Sequence, residues 1–221
     1  MMSSHTVAPI ALEGLTPAMI VVDMQNAFLD DRGSVAALGL DITYLKQTIA
    51  PVTRLVDACH NAGVPIVFTR YVLRADYADA GLRKLLRPSA HNFRSLVAGT
   101  WDADLDPRMD VRHTDYILDK TRYSSFYNTN LEVILRGLEI DTLIVCGVTT
   151  EICVESTVRD AFFRDYRIFV PADAVAATDV ERHHGTLRTI EYGFGTVTTT
   201  DSLVHALQVK AGRGSHGVAT A

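Results

Sequence analysis

Three residues of this chain have side chains suited to acyl chemistry, and each closely follows a short apolar run. Asp23 follows Ile20, Val21 and Val22; Lys120 follows the run YILD (116–119); Cys153 lies in CGVTTEICVEST, shortly after an apolar stretch ending at Cys146. A carboxylate beside a thiol can hold or take its proton. An ammonium group favours the thiolate, as do the dipole and unpaired N–H groups of a helix N-terminus. Together they make an activated nucleophile with its base. Taken singly, each has a commoner use: an aspartate after a strand caps a turn, a lysine at a strand end is solvated, and a free cysteine is a small buried hydrophobe. Cys59, on the apolar face of a helix pattern, and Cys146, inside a strand pattern, keep that last reading.

The elements that must position these residues alternate along the chain. Continuous apolar runs predict strands at 18–22, 64–69, 116–118, 142–146, 167–170 and 197–199. Helical spacing predicts helices at 41–62, 130–137, 150–164, 180–192 and 202–209, with Pro51 starting or kinking the first of them. Repeated β-α-β units imply a three-layer α-β-α fold, Rossmann-like, around a mainly parallel six-stranded sheet with right-handed crossovers. Ligands of such sheets sit beyond the carboxyl ends of the strands, where strand order reverses. Asp23, Lys120 and Cys153 all fall at that edge. Residues 71–114 interrupt the alternation with a long stretch of mixed polarity, expected to be a partly helical excursion that roofs the site. Residues 1–15 read as a loose leader and 209–221 as a mobile tail.

Composition narrows the class. The 221 residues are 48% hydrophobic and 21% charged, as expected of one globular domain spanning 1–221. A net charge of −5 argues against nucleic-acid binding. The three cysteines fit no disulfide framework, and no apolar run suggests a signal peptide or a membrane span, so a cytoplasmic protein is expected.

The segments IVVDMQNAF (20–28), DKTRYSSFYNTNLEVIL (119–135) and IVCGVTTEICVESTVRDAFFRDY (144–166) resemble the isochorismatase-like cysteine hydrolase superfamily, and the likeness runs from about residue 18 to 207. The resemblance implies Asp23 as base, Lys120 as its charged partner and Cys153 as nucleophile. It also implies a cis peptide at Val148–Thr149, with the amides of Thr149 and Cys153 forming an oxyanion hole. KTRYSSFYNT and CVESTVRDAFFRDY look closest to ureidoacrylate and biuret-type amidohydrolases, which cleave an amide, carbamoyl or ureido C–N bond and release ammonia or carbamate. The nicotinamidase branch carries a metal motif after the second strand. Here that place reads FTRYVLRADYADAG, without histidine, so no metal and no cofactor are expected. Thr178 stands where N-carbamoylsarcosine hydrolases would carry a carboxylate-binding arginine. Relatives imply a homodimer or homotetramer.

Candidate substrate contacts are Gln25, Asn26 and Phe28 just past Asp23, Arg70 and Arg74 after the second strand, Tyr123 and Phe126 as pocket walls, and Trp101 in the roof. His183 and His184 read as surface residues, and GFGTVT (193–198) as a helix-ending turn. Two rival functions stand beside amide hydrolysis of a small molecule: isochorismatase-type cleavage of an enol ether, which needs an acid and no cysteine, and a non-catalytic binding protein that keeps the fold.

Overall fold

The structure, a computed structural model, describes residues 10–214. Seven strands make one parallel sheet: β1 (Pro17–Val22), β2 (Ile66–Tyr71), β3 (Tyr116–Lys120), β4 (Thr142–Val148), β5 (Arg167–Pro171), β6 (Val175–Ala176) and β7 (Thr196–Thr198). Their order is β3-β2-β1-β4-β5-β7, with β6 paired to the end of β4 at Gly147 and Val148, beyond the part of β4 that β5 covers. Six strands were expected. The seventh, β6, is two residues long and too short to show any periodicity. β1 and β4 are buried along their whole length, which is why they read as unbroken apolar runs.

Helix Ile49–Asn61 packs against helix Thr200–Gly214, and helix Glu155–Phe162 packs against Val180–Gly193. The predicted helix over 41–62 is split into Thr43–Lys46 and Ile49–Asn61. Pro51 has no N–H to offer the carbonyl of Gln47, so the long helix starts two residues before it. The closing helix runs on to Gly214, through residues expected to be tail. Leu12, in the expected leader, is buried in the main core. Residues 1–9 and 215–221, the remainder of those two segments, lie outside the described residues.

The chain adds β2 and β3 on one side of β1, then crosses to β4 on the other side. That reversal opens a crevice between the carboxyl ends of β1 and β4. The two ends approach closely: Val22 is opposite Gly147, and a Cβ on Gly147 would lie 2.1 Å from the Val22 carbonyl oxygen. Gly147 also has φ of +109°. Both demands admit only glycine.

The excursion between β2 and β3 has little secondary structure, namely a short helix at Arg83–Leu86, a tight two-turn helix at Pro88–Phe93, and single turns at Trp101–Ala103 and Pro107–Met109. A second apolar cluster holds it down, in which Leu73, Tyr77, Ala80, Leu96 and Val97 meet Ala27 and Tyr71. The Asp102 carboxylate accepts hydrogen bonds from the Ser34 amide and hydroxyl (2.8 Å each) and from the Leu96 amide (2.7 Å).

Gly147→Ala is expected to unfold the protein or leave it insoluble. Gly137→Ala, at a helix position with nothing within 4 Å of the new methyl, is expected to stabilise by about 0.5–1 kcal/mol. Chemical denaturation of both variants checks the contrast.

Candidate active site

β1 ends abruptly at Asp23, which adopts a left-handed backbone (φ +52°), a conformation aspartate tolerates better than most residues. The turn carries its carboxylate back over the sheet edge, fully buried. Oδ2 pairs with Lys120 Nζ at 2.6 Å, and Oδ1 accepts the Thr69 hydroxyl at 2.8 Å. Lys120 is also buried. It donates to the Arg122 carbonyl (3.2 Å) and lies 4.9 Å from the centre of the Tyr71 ring. Burial works against the Lys120 charge, but Asp23 and the Cys153 sulfur outweigh it and hold the ammonium above its ordinary value.

The nucleophile candidate follows β4. After Gly147 comes a cis peptide between Val148 and Thr149. The chain then makes a wide turn over Thr150–Val154, in which the Val154 amide reaches back five residues to the Thr149 carbonyl (3.2 Å) before helix Glu155–Phe162 begins. Two buried threonines hold this turn. Thr157 Oγ1 donates to the Cys153 carbonyl (2.8 Å), and Thr150 Oγ1 is 2.9 Å from His183 Nδ1. His183 was expected at the surface. It is 2% exposed, edge-on to the Tyr44 ring and beside His184, because its helix turns that side inward under the nucleophile segment.

The charges of Asp23 and Lys120 both act on the Cys153 thiol, so the three sequence candidates converge. Burial pushes the thiol up, Lys120 pulls it back, and Asp23 pushes it further up. The sulfur thus sits beside a buried Asp–Lys ion pair whose two members act on it in opposite directions.

Cys153 opens onto a cavity of about 130 Å³ whose lining includes Phe28, Tyr71, Arg83, Tyr123, Thr149 and Glu151. That is below the ~300–1,000 Å³ of pockets for drug-sized ligands. Of the predicted contacts, Phe28, Tyr123 and Thr149 line it. Gln25 does not, because its amide ties Tyr71 to Ala103, donating to the two carbonyls (3.2 and 2.7 Å) and accepting the Tyr71 amide (2.8 Å). Asn26 donates to the Trp101 carbonyl (2.8 Å). Trp101 is 42% exposed, lies under the Arg32 guanidinium, and faces a separate hollow with Asp30 and Arg108. Phe126 packs in the core between Tyr166 and Arg164. Arg70 is paired with Asp119 at 2.7 Å and Arg74 with Asp76 at 2.9 Å, so the carboxylates beside them claim both. The arginines that do line the cavity are Arg83, Arg87 and Arg182. Sequence reading passed over them, and over Glu151: Arg83 and Arg87 lie in the excursion, whose spacing does not reveal which way it folds, while Arg182 and Glu151 lie on helical segments whose inward side shows only once they are docked. Among the described residues, no group of three His, Cys, Asp or Glu side chains comes together to hold a metal ion, and no helix is long and apolar enough to cross a membrane.

A doubly wound parallel sheet with a crevice at its switch point, lined by a cysteine near a buried acid–ammonium pair, is the architecture of isochorismatase-like hydrolases. The Isochorismatase domain family matches residues 17–202, and the chain belongs to that family. It is 36% identical over 212 residues to the ureidoacrylate amidohydrolase RutB of Methylorubrum extorquens, covering 90% of this chain and 86% of that protein. A cysteine hydrolase from Pseudomonas syringae pv. phaseolicola superposes with a TM-score of 0.82 at 32% identity, covering 91% of this chain and 96% of that one. N-carbamoylsarcosine amidase from Thermoplasma acidophilum superposes at 0.69 with 32% identity, covering 85% and 98%.

Lys120→Met leaves the Asp23 carboxylate buried and uncompensated, and is expected to destabilise the fold by about 3–5 kcal/mol. Adding Asp23→Asn to it should recover part of that loss, as a denaturation cycle will measure. Burial, with a smaller push from His184, lowers the His183 pKa below its ordinary 6.5. The unfolded chain therefore binds this proton more readily. Its contribution to stability is complete above pH 6.5 and is lost as the pH falls through the folded value. His183→Gln is expected to flatten the fall in melting temperature between pH 7 and pH 5.

Proposed function

We propose that the protein is a cysteine-dependent amidohydrolase acting on a small amide, carbamoyl or ureido compound. The carrying observation is the buried Asp23–Lys120 pair acting on the Cys153 thiol at the wall of a small cavity. The named activities of the ureidoacrylate amidohydrolase and carbamoylsarcosine amidase relatives support the same reading.

Asp23 takes the thiol proton as the sulfur attacks the substrate carbonyl carbon. Each of its oxygens accepts only one strong hydrogen bond at rest, from Thr69 or Lys120, so lone-pair capacity remains for the proton. Lys120 stays charged and steadies the sulfur while negative charge builds there. The carbonyl oxygen, now an oxyanion, is received by the amides of Thr149 and Cys153. When the C–N bond breaks, Asp23 gives its proton to the departing amine and a thioester remains on Cys153. A water molecule then loses a proton to Asp23 and attacks the thioester. The acid or carbamate leaves, and the proton returns to sulfur. General-base action of this kind contributes ~10²–10⁴-fold, and each oxyanion donor ~10²–10³-fold.

Cys153→Ala is expected to abolish ammonia release in a screen of ureides, carbamoyl amino acids, maleamate and aryl amides. Full turnover without the sulfur would instead point to acid-catalysed ether cleavage. With limiting iodoacetamide, a single adduct is expected at Cys153, since Cys59 and Cys146 have no exposure at all. Peptide mapping reads the site of labelling, and a protein that labels nowhere near neutral pH would favour a non-catalytic role.

A further inference from the structure

The turn that carries Cys153 is wider than an α-helical one, and helix Glu155–Phe162 starts only beyond it. A turn of this kind takes its exact place from whatever fastens it from outside. One end is tied towards the segment of Lys120. Thr157 Oγ1 donates to the Cys153 carbonyl at 2.8 Å and accepts the Ser125 amide at 3.0 Å, and Ser125 lies in the loop after β3. The other end is tied to helix Val180–Gly193, which no step of the reaction scheme uses. There Thr150 Oγ1 meets His183 Nδ1 at 2.9 Å, with both residues buried.

The direction of that bond follows from what surrounds it. The Thr150 hydroxyl has no other hydrogen-bond partner among the described residues. It therefore donates to Nδ1, and the neutral ring carries its own proton on Nε2. A charged ring bears a hydrogen on Nδ1 as well. The bond must then reverse, and the hydroxyl hydrogen is stranded in a buried place. The other titratable groups around the ring offer it no compensation. Glu155 is engaged by Arg159 and Thr186, and Asp179 by the Arg182 amide. Glu151 is coupled to Arg182 and Asp179. Tyr44 meets the ring edge-on, and His184 adds only like charge.

Resting on the amidohydrolase reading, we infer that Thr150 and His183 are positioning residues, whose hydrogen bond keeps the Thr149–Cys153 turn where its amides and its sulfur meet a substrate carbonyl. Neither side chain takes part in bond making. A displacement of ~1 Å at a reacting centre can cost ~10²-fold in rate. Phe28, Tyr71 and Tyr123, which wall the cavity, are not on this turn, so substrate binding is spared.

Steady-state turnover of ureidoacrylate, or of the best amide in the ammonia screen should that be faster, tests the inference. Thr150→Val and His183→Leu remove the hydroxyl and the acceptor. Each is expected to lower kcat by ~10- to 100-fold with KM within about threefold of wild type. The double variant should be no worse than either single one, because both remove the same bond. Thr150→Ser keeps the hydroxyl, and His183→Asn puts an amide oxygen in the place of Nδ1. Both are expected to stay within about threefold of wild type. The wild-type kcat should also fall more steeply from pH 7 to pH 5 than that of His183→Asn, which has no proton to gain there. Melting curves establish that each variant is folded. Should the double variant fail to fold, the contrasts of Val with Ser at 150 and of Leu with Asn at 183 decide. An unchanged kcat in Thr150→Val, a loss carried in KM, losses that multiply in the double variant, His183→Asn no better than His183→Leu, or parallel pH profiles overturns the inference. Retention of turnover in Cys153→Ala would overturn the amidohydrolase reading instead, so the two failures are distinguishable.

Discussion

Everything at the site depends on one ion pair removed from water. Asp23 and Lys120 are buried side by side at 2.6 Å, and each would be intolerable there alone. Their strands are not neighbours, because β2 lies between β1 and β3. The pair therefore spans β2, and β2 supplies the groups that make the span tolerable: the Thr69 hydroxyl on the second carboxylate oxygen and the Tyr71 ring beside the ammonium. The register of the sheet sets the reach, since Lys120 is level with Tyr71, whose amide and carbonyl are tied back to Gln25. Two strands and the bend at Asp23 are locked together to keep one charge pair dry. The Cys153 sulfur then meets a carboxylate whose position is already fixed.

Burial raises the pKa of the Cys153 thiol and Asp23 raises it further, while Lys120 opposes both. In the proposed mechanism the carboxylate that holds the ammonium also receives the thiol proton, so the ion pair and the sulfur act as one buried cluster.

Much of this was legible in the sequence because a strand buried on both faces is a continuous apolar run, and the run stops where the chemistry begins. Asp23 and Lys120 stand at the ends of such runs and Cys153 at the start of the helical segment that follows one, the family resemblance joined the three, and a mainly parallel sheet followed from alternation. What could not be read was which charges neutralise one another across the fold. Arg70 and Arg74 stand at the natural place for substrate contacts, yet Asp119 and Asp76 claim them. Arg83 and Arg87 lie in a segment with no periodicity, and only its folding back over Tyr71 brings them to the cavity. His183 was misplaced for a similar reason. A histidine pair in a helix does not say which ring faces inward until the helix is docked. Gln25 and Asn26, next to the base in sequence, turned out to fasten the excursion to the sheet.

The cavity is assembled from two parts with very different anchorage. One side is the sheet edge with the turn around Cys153, embedded in the main core. The other is the excursion, with its own small apolar cluster, the Gln25 and Asn26 amides and the threefold grip of the Asp102 carboxylate. Residues between these fastenings, Leu82 to Arg87 among them, bear little on the stability of the fold; Leu82, Leu85 and Leu86 are all more than 60% exposed. Side chains in that stretch can therefore change at little cost to the fold, reshaping the rim of the cavity while leaving the Asp23–Lys120 pair undisturbed.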